Sequence, residues 1–287
     1  MYKVQKIILV SLISISLIAW LFSIKDPDML IMMEAMMTLN PIAISIFTIS
    51  WTIGMAAMMF PAIVPMVVLY NRLIIRNNDN HIDDSKQKND NKQRPFLPLI
   101  FSFSVNYSIK TILFVASYLL IWSLTGVLLL LSWSVLMNNL LMTSRLLDLD
   151  IVYGILLIIS GLYQFSSLKK KCLGYCESPL AFFTRRWKGN STTGAIKMGT
   201  YHGFYCLGCC WPYFLLMVAL GWMNIAWMLL FTGIIIGEKM WSKGIWISRF
   251  TGIAFTIVGV LTIVGIMTLN NDDLNMSTMI MSTMDMS

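Results

Sequence analysis

Apolar residues along the chain gather into seven blocks of spanning length, set apart by stretches that carry most of the charge. A bilayer core about 30 Å thick is crossed by about 20 helical residues at about 1.5 Å per residue. The blocks run approximately 7–24, 42–70, 108–134, 151–168, 203–221, 223–240 and 248–269. The pattern predicts an all-α, polytopic transmembrane helical bundle of about seven spans, a single integral membrane domain over 1–287. The fifth and sixth blocks are joined only by Trp222 and its neighbours, which predicts a tight antiparallel hairpin; a count of six would make one of these short spans re-entrant. The first block has the basic start and apolar run of a signal peptide, but Trp20, Leu21 and Phe22 stand where small residues would mark cleavage, so it reads as a retained anchor. Residues 77–94 are polar, of mixed charge and almost free of apolar side chains. Such a segment cannot bury enough surface to order itself, which predicts a disordered cytoplasmic loop with His81 in solvent.

Composition agrees with the pattern. Of 287 residues 57% are hydrophobic and 12% charged, and the mean hydropathy is +0.72. Soluble domains carry about 25% charged residues. The net charge of +7 would raise the question of nucleic acid in a soluble protein, but here the cations sort by side. With the amino terminus inside, Lys3 and Lys6, seven cations from Arg72 to Lys110, seven from Lys169 to Lys197, and Lys239, Lys243 and Arg249 lie on one side, leaving Lys25 and Arg145 on the other. Because Lys and Arg are retained in the cytoplasm, this predicts an N-terminus inside and a C-terminus outside. The charge is topological, the expected partner is the lipid bilayer of the cell membrane, and nucleic acid is excluded.

Chemistry concentrates in His202-Gly203-Phe204-Tyr205-Cys206-Leu207-Gly208-Cys209-Cys210-Trp211-Pro212. His202, Cys206, Cys209 and Cys210 fall at i, i+4, i+7 and i+8, one face of a helix, and Met198 extends that face by a turn. Thiolates, imidazole and thioether are ligands that favour Cu(I) or Zn(II) over Mg(II) or Ca(II). The orientation puts these cysteines in the first two turns of the fifth span, where cytosolic reductants keep thiols reduced and the helix amino terminus lowers their pKa. The spacing is not a closed zinc site, which needs four ligands. Cys172 and Cys176, four apart in the preceding segment, are candidate supplements, and Pro179 limits that segment to a short helical turn. Packing is the competing account of all five, since Cys is also a small buried hydrophobe.

Met, at 23, outnumbers Gly, at 17. Met29, Met32, Met33, Met36 and Met37 would form one stripe in the first external loop, with Glu34 among them, and 270–287 is a Met-rich extracytoplasmic tail containing Met276, Met279, Met281, Met284 and Met286. Thioethers do not form disulfides and suit Cu(I) in an oxidising compartment. In the second span Met55, Met58 and Met59 share a face near the bilayer midplane, beside Pro61 and Pro65, which remove helical hydrogen bonds and kink the helix. Irregular packing is again the alternative. Glu238 and Lys239, at the inner end of the sixth span, pair or snorkel. No phosphate-binding loop or nucleophile elbow is present, and two histidines do not make a His-rich oxidase.

The chain resembles the family designated domain of unknown function 2182, described as predicted metal-binding integral membrane proteins. The likeness rests on Trp51, Gly54-Met55-Ala56-Ala57-Met58-Met59 and Pro61, and on the block from Cys172 and Cys176 through Ser178-Pro179-Leu180, Arg186-Trp187, Gly194-Ala195, Met198-Gly199, His202-Gly203 and Tyr205-Cys206-Leu207-Gly208-Cys209-Cys210-Trp211 to Met223-Asn224, Trp227-Met228 and Glu238-Lys239. It covers most of residues 45–265 and implies metal binding, sometimes phrased as a copper chaperone, without a settled reaction. The sequence therefore points to a membrane protein that handles copper as Cu(I), ahead of zinc, for transport or delivery. It would work with a metal donor or acceptor protein or a membrane metalloenzyme, and as a carrier more than as an enzyme. Expected ligands are His202, Cys206, Cys209, Cys210, Cys172, Cys176, Met55, Met58 and Met59. Two other readings stand beside it: a membrane thiol-redox protein, and a non-catalytic assembly subunit of a membrane metalloenzyme.

Overall fold

The computed structural model describes residues 2–25, 40–88, 96–143, 149–187, 191–220, 224–241 and 243–266, and the structural statements below concern these residues. Among them the fold is all-helical, without strands. The helices are α1 (Tyr2–Lys25), α2 (Pro41–Lys88), α3 (Phe96–Thr143), α4 (Leu149–Tyr163), α5 (Ser167–Glu177), α6 (Pro179–Arg186), α7 (Thr192–Leu220), α8 (Ile225–Met240) and α9 (Gly244–Ile263). Each of the seven apolar blocks falls on a helix. Four of these helices are long and apolar enough to cross a membrane, over Val4–Ser23, Pro41–Arg76, Ser108–Leu136 and Gly244–Ile263. A fifth crossing results if α4 and α5, bent by 64° at their junction, count as one broken span.

Helix α7 lies at the centre, packed against α3, α4, α5 and α8, while α1 lies on α2, α2 on α3, and α9 on α4. Polar side chains pin the contacts between α1, α2 and α3. Ser16 donates to the carbonyl of Ala57 at 2.7 Å, Trp51 Nε1 to the carbonyl of Trp122 at 3.0 Å, and Asn71 to the Thr111 hydroxyl at 3.0 Å. Each bond satisfies a group that would be expensive to bury alone. Trp122 packs on Phe214 of α7 with ring centroids 4.6 Å apart, carrying the core from α3 into the central helix. Helix α2 runs without interruption through Pro61 and Pro65. It continues to Lys88, into the segment expected to be a disordered loop, and residues 89–95 lie outside the described residues. The outer faces of α1, α3 and α9 are apolar, with Leu17, Leu21, Ile112, Leu128 and Phe250 exposed.

Two helices differ in extent from the apolar blocks they carry. The helix of the fourth block ends at Tyr163, because the chain turns at 164–166 and Ser166 begins a new helix by accepting a hydrogen bond from the Lys169 amide. The helix of the fifth begins at Thr192, well before its apolar block, where Ser191 caps it through the Gly194 amide at 3.0 Å.

The α4–α9 contact is close enough to need glycine. A Cβ at Gly259 would lie 2.7 Å from the Gly154 carbonyl oxygen, and one at Gly252 2.9 Å from that of Gly161. Backbone oxygen cannot move aside as a side-chain tip can, so Gly259→Val should lower the thermal unfolding midpoint in detergent by the equivalent of about 1–3 kcal/mol. Gly233, with open space around it, is the control: Gly233→Ala should leave the midpoint unchanged or raise it, by at most about 1 kcal/mol.

Candidate metal centre

The cysteine helix carries its thiols deep in its length. Cys206 follows Thr192 by about four turns, so the helix dipole, whose influence is confined to the terminal turn, does not reach it. The expectation that a helix terminus activates these cysteines is therefore overturned by the early start of α7. The expectation of a short turn around Cys172 and Cys176 is overturned too. Here Pro179 does not truncate a helix; it opens α6 at the first position, where its missing N–H is harmless, and leaves α5 free to run for 11 residues. Lys169, Cys172 and Cys176, at i, i+3 and i+7 of α5, are all buried. A Cβ at Gly208 would lie 2.8 Å from Cys172 Sγ, so the glycine lets α5 approach α7 at this level.

Four thiols meet between α5 and α7. Cys209 Sγ lies 3.1 Å from Cys210 Sγ and 3.8 Å from Cys176 Sγ, and it donates to the Cys206 carbonyl at 3.2 Å. All five cysteines of the chain are free and buried. Cys206 Sγ also contacts the Tyr118 hydroxyl at 3.1 Å and accepts from Lys239 Nζ at 2.9 Å, and the same ammonium reaches Met59 Sδ at 4.0 Å. Met55 and Met58 are as buried as Met59, within the apolar core. His202 is buried with its ring stacked on Tyr118 (centroids 5.5 Å) and Phe114 (6.1 Å) and edge-on to Phe182. Both of its ring nitrogens lack a hydrogen-bond partner among the described residues. The stripe from Met29 to Met37 and the tail at 270–287 lie outside the described residues.

Sequence reasoning missed the ionic frame around the thiols. Lys169, counted among loop cations, is fully buried and pairs with Glu238 Oε2 at 2.8 Å; Tyr213 donates to Glu238 Oε1 at 2.6 Å. Glu238 and Lys239 neither snorkel nor pair with each other: the carboxylate goes to α5 and the ammonium to the thiols. Pro212 has no amide hydrogen for the Gly208 carbonyl one turn back. The Tyr163 hydroxyl bonds that carbonyl instead, and Lys169 Nζ donates to the next one, Cys209 O, at 2.6 Å. Two signals could have found this frame. Ionisable residues inside an apolar span mark function, and Lys169 shares a helical face with Cys172 and Cys176.

Chemically, the cluster offers soft sulfur donors, an imidazole without a hydrogen-bond partner among the described residues and, against Cys206, the ammonium of Lys239. Among the described residues, no three His, Cys, Asp or Glu side chains stand ready around a common metal position. The thiols face each other, Tyr118 and Lys239. Cu(I) suits such a set because soft thiolate and thioether ligands select it.

A family model described as PpoB2, copper chaperone, matches residues 48–262, which span the α2 methionines and every residue of the thiol centre. No curated protein and no solved structure matches the chain.

The ion pair generates a sharp prediction. Removing one partner of a buried pair leaves a naked charge, so Glu238→Gln should cost about 3–5 kcal/mol, read as a lower thermal midpoint. Adding Lys169→Met should recover most of that loss. A double variant no more stable than Glu238→Gln would show that the pair is not what holds α5 in place.

Proposed function

The chain belongs to the PpoB2 copper-chaperone family, and on that premise we propose that it is a multi-pass protein of the cell membrane that binds copper as Cu(I) and passes it to or from a protein partner. In this reading it has seven spans, with the amino terminus inside and the carboxyl terminus outside, set by the one-sided distribution of Lys and Arg. The exposed apolar faces of α1, α3 and α9 support insertion, since soluble monomers rarely expose apolar surface on this scale.

The observation that carries the proposal is the buried cluster in which Cys209 meets Cys176 and Cys210 while Lys239 reaches both Cys206 and Met59. We assign these as ligands together with His202, whose two nitrogens are unpartnered and whose ring lies against Tyr118, itself on Cys206. Met55 and Met58 extend the soft-donor path along α2, and Cys172 lines its α5 side. The external methionines of 29–37 and 270–287 capture the ion in the oxidising compartment, and ligand exchange among soft donors carries it inward or outward. Zinc is the secondary candidate. A thiol-redox role is the second reading, favoured by the 3.8 Å approach of Cys176 and Cys209.

Metal analysis of protein purified under reducing conditions tests the proposal. Wild type should retain copper, and the variant with Cys206→Ser, Cys209→Ser and Cys210→Ser together should retain almost none; equal, near-zero copper and zinc in both would overturn it. Orientation needs introduced cysteines, because the native ones are buried. With a membrane-impermeant thiol reagent, Ile266→Cys (72% exposed) should label in intact cells and Leu180→Cys (65% exposed) only after permeabilisation. The opposite pattern would reverse the orientation.

A further inference from the structure

We propose that the groove between the inner end of α2 and the short helix α6 binds one anionic phospholipid, with an acyl chain lying between the helices and the headgroup phosphate on Arg76. The proposal goes beyond the copper reading and rests only on insertion of the chain in a bilayer.

The groove has a volume of about 480 Å³, within the range of small-molecule sites. Leu69 and Leu73, one turn apart on α2, form one wall; Leu180, Phe183 and Trp187, at i, i+3 and i+7, form the other. Rings behind the walls hold them in place. Tyr70 of α2 is buried with its ring 5.8 Å from that of Phe183 and 6.2 Å from that of Trp187. Phe182 turns the other way, edge-on to His202, so α6 is anchored to the core by one face and presents a second apolar face to the groove.

Among the lining residues Arg76 carries the only charge. The arginines around it are already engaged by protein. Arg72, one turn earlier on α2, donates to Gln5 at 2.8 Å. Arg185 donates to the Tyr175 hydroxyl at 3.2 Å, and Arg186 to that of Tyr205 at 2.8 Å while lying over the Tyr201 ring. Arg76 is exposed at the rim and pairs with no carboxylate among the described residues. A guanidinium fork left open in this way matches phosphate oxygens.

Its depth matches as well. The apolar stretch of α2 ends at Arg76, so the guanidinium stands where hydrocarbon gives way to headgroups, with its stem along apolar surface and its charge at the water edge. Trp187 suits the same level, where tryptophan is enriched in membrane proteins. A soluble acidic peptide would match the charge but not a trough whose lining, apart from Arg76 and Thr184, is apolar. An apolar trough with one cation at its end is the complement of a lipid. Because no acidic residue lines it, a headgroup of net negative charge cancels the arginine and a zwitterionic one does not.

The experiment uses full-length protein, delipidated in detergent and read by native mass spectrometry against phosphatidylglycerol and phosphatidylcholine with the same acyl chains. The first phosphatidylglycerol should bind about fivefold more tightly than the first phosphatidylcholine, the scale of one basic side chain at an anionic headgroup. Arg76→Gln should abolish that preference and Arg76→Lys should keep most of it. Arg72→Gln, on the same helix but outside the groove, should leave it unchanged. Thr184→Trp puts bulk into the groove from an exposed position whose hydroxyl bonds only its own helix, and should lose the tightest-bound lipid of either kind. No preference in the wild type would overturn the proposal, as would equal loss in Arg72→Gln and Arg76→Gln, the mark of diffuse surface charge. Displacement of the lipid by an equal concentration of glycerol phosphate would reduce the groove to a phosphate site and overturn it too. A lipid-free dimer dispersed by Thr184→Trp would assign the groove to a second copy of the chain instead. Metal does not enter these readouts, so they stand or fall apart from the copper reading. Full-length protein recovered from cells without detergent would sink the membrane reading, and this proposal with it.

Discussion

The cost of burying charge organises this molecule more than any single apolar contact. Lys169 and Glu238 are both fully buried, a situation tolerated only when each supplies the other's counter-charge and the remaining polar atoms are bonded. Meeting that condition brings α5 against α7 and α8, and it is reached by the sharp bend after α4. Cys172 and Cys176 ride on the same face of α5 as Lys169 and so arrive at α7 with it. The sulfur pocket is thus assembled by an ion pair that contributes no sulfur. Because Lys169 and Tyr213 occupy both oxygens of Glu238, Lys239 is left to turn toward Cys206, which places its ammonium against a thiol.

The second organising element is the proline in α7. Pro212 releases the Gly208 carbonyl, and a freed carbonyl inside a protein must find another donor. Tyr163 supplies one from the last turn of α4, and Lys169 bonds the adjacent Cys209 carbonyl from α5. The backbone beside Cys209 and Cys210 is therefore held by side chains of two other helices, at the step where two thiols follow each other. Gly208 has a double part here: its carbonyl takes the tyrosine, and its missing side chain leaves room for Cys172.

Much of this was legible in the sequence, and the failures have physical causes. Hydropathy placed its apolar blocks on helices, four of them long and apolar enough to cross a membrane, because a run of apolar side chains is a local property. The i, i+4, i+7, i+8 spacing placed His202 and three cysteines on one helix, and the copper expectation agrees with the family the chain belongs to. What misled was using hydropathy to mark helix ends. Thr192 to Lys197 precede the apolar block yet are helical, with Ser191 as their cap, so the cysteines sit in mid-helix and the dipole argument fails. The run Lys169-Lys170-Lys171 reads as a basic loop, and nothing within a window of helical length tells that its first member pairs with Glu238, 69 residues away. Pro179 was equally ambiguous: the same residue can stop one helix or start the next, and here the second holds.

Preorganisation strengthens binding by removing the cost of rearrangement, which suits a resident cofactor. A chaperone has the opposite requirement, because an ion held too firmly is never handed on. In the thiol cluster the side chains are hydrogen-bonded to each other, to Tyr118 and to Lys239. In the proposed transfer those contacts would break for an ion to enter and re-form when it leaves, so they would oppose capture and favour release. In that proposal Lys169, Glu238, Tyr213 and Tyr163 hold the frame, tied to one another and to the Gly208 and Cys209 carbonyls, while the sulfur ligands exchange. A fixed frame around exchangeable soft ligands is the division of labour that metal transfer demands.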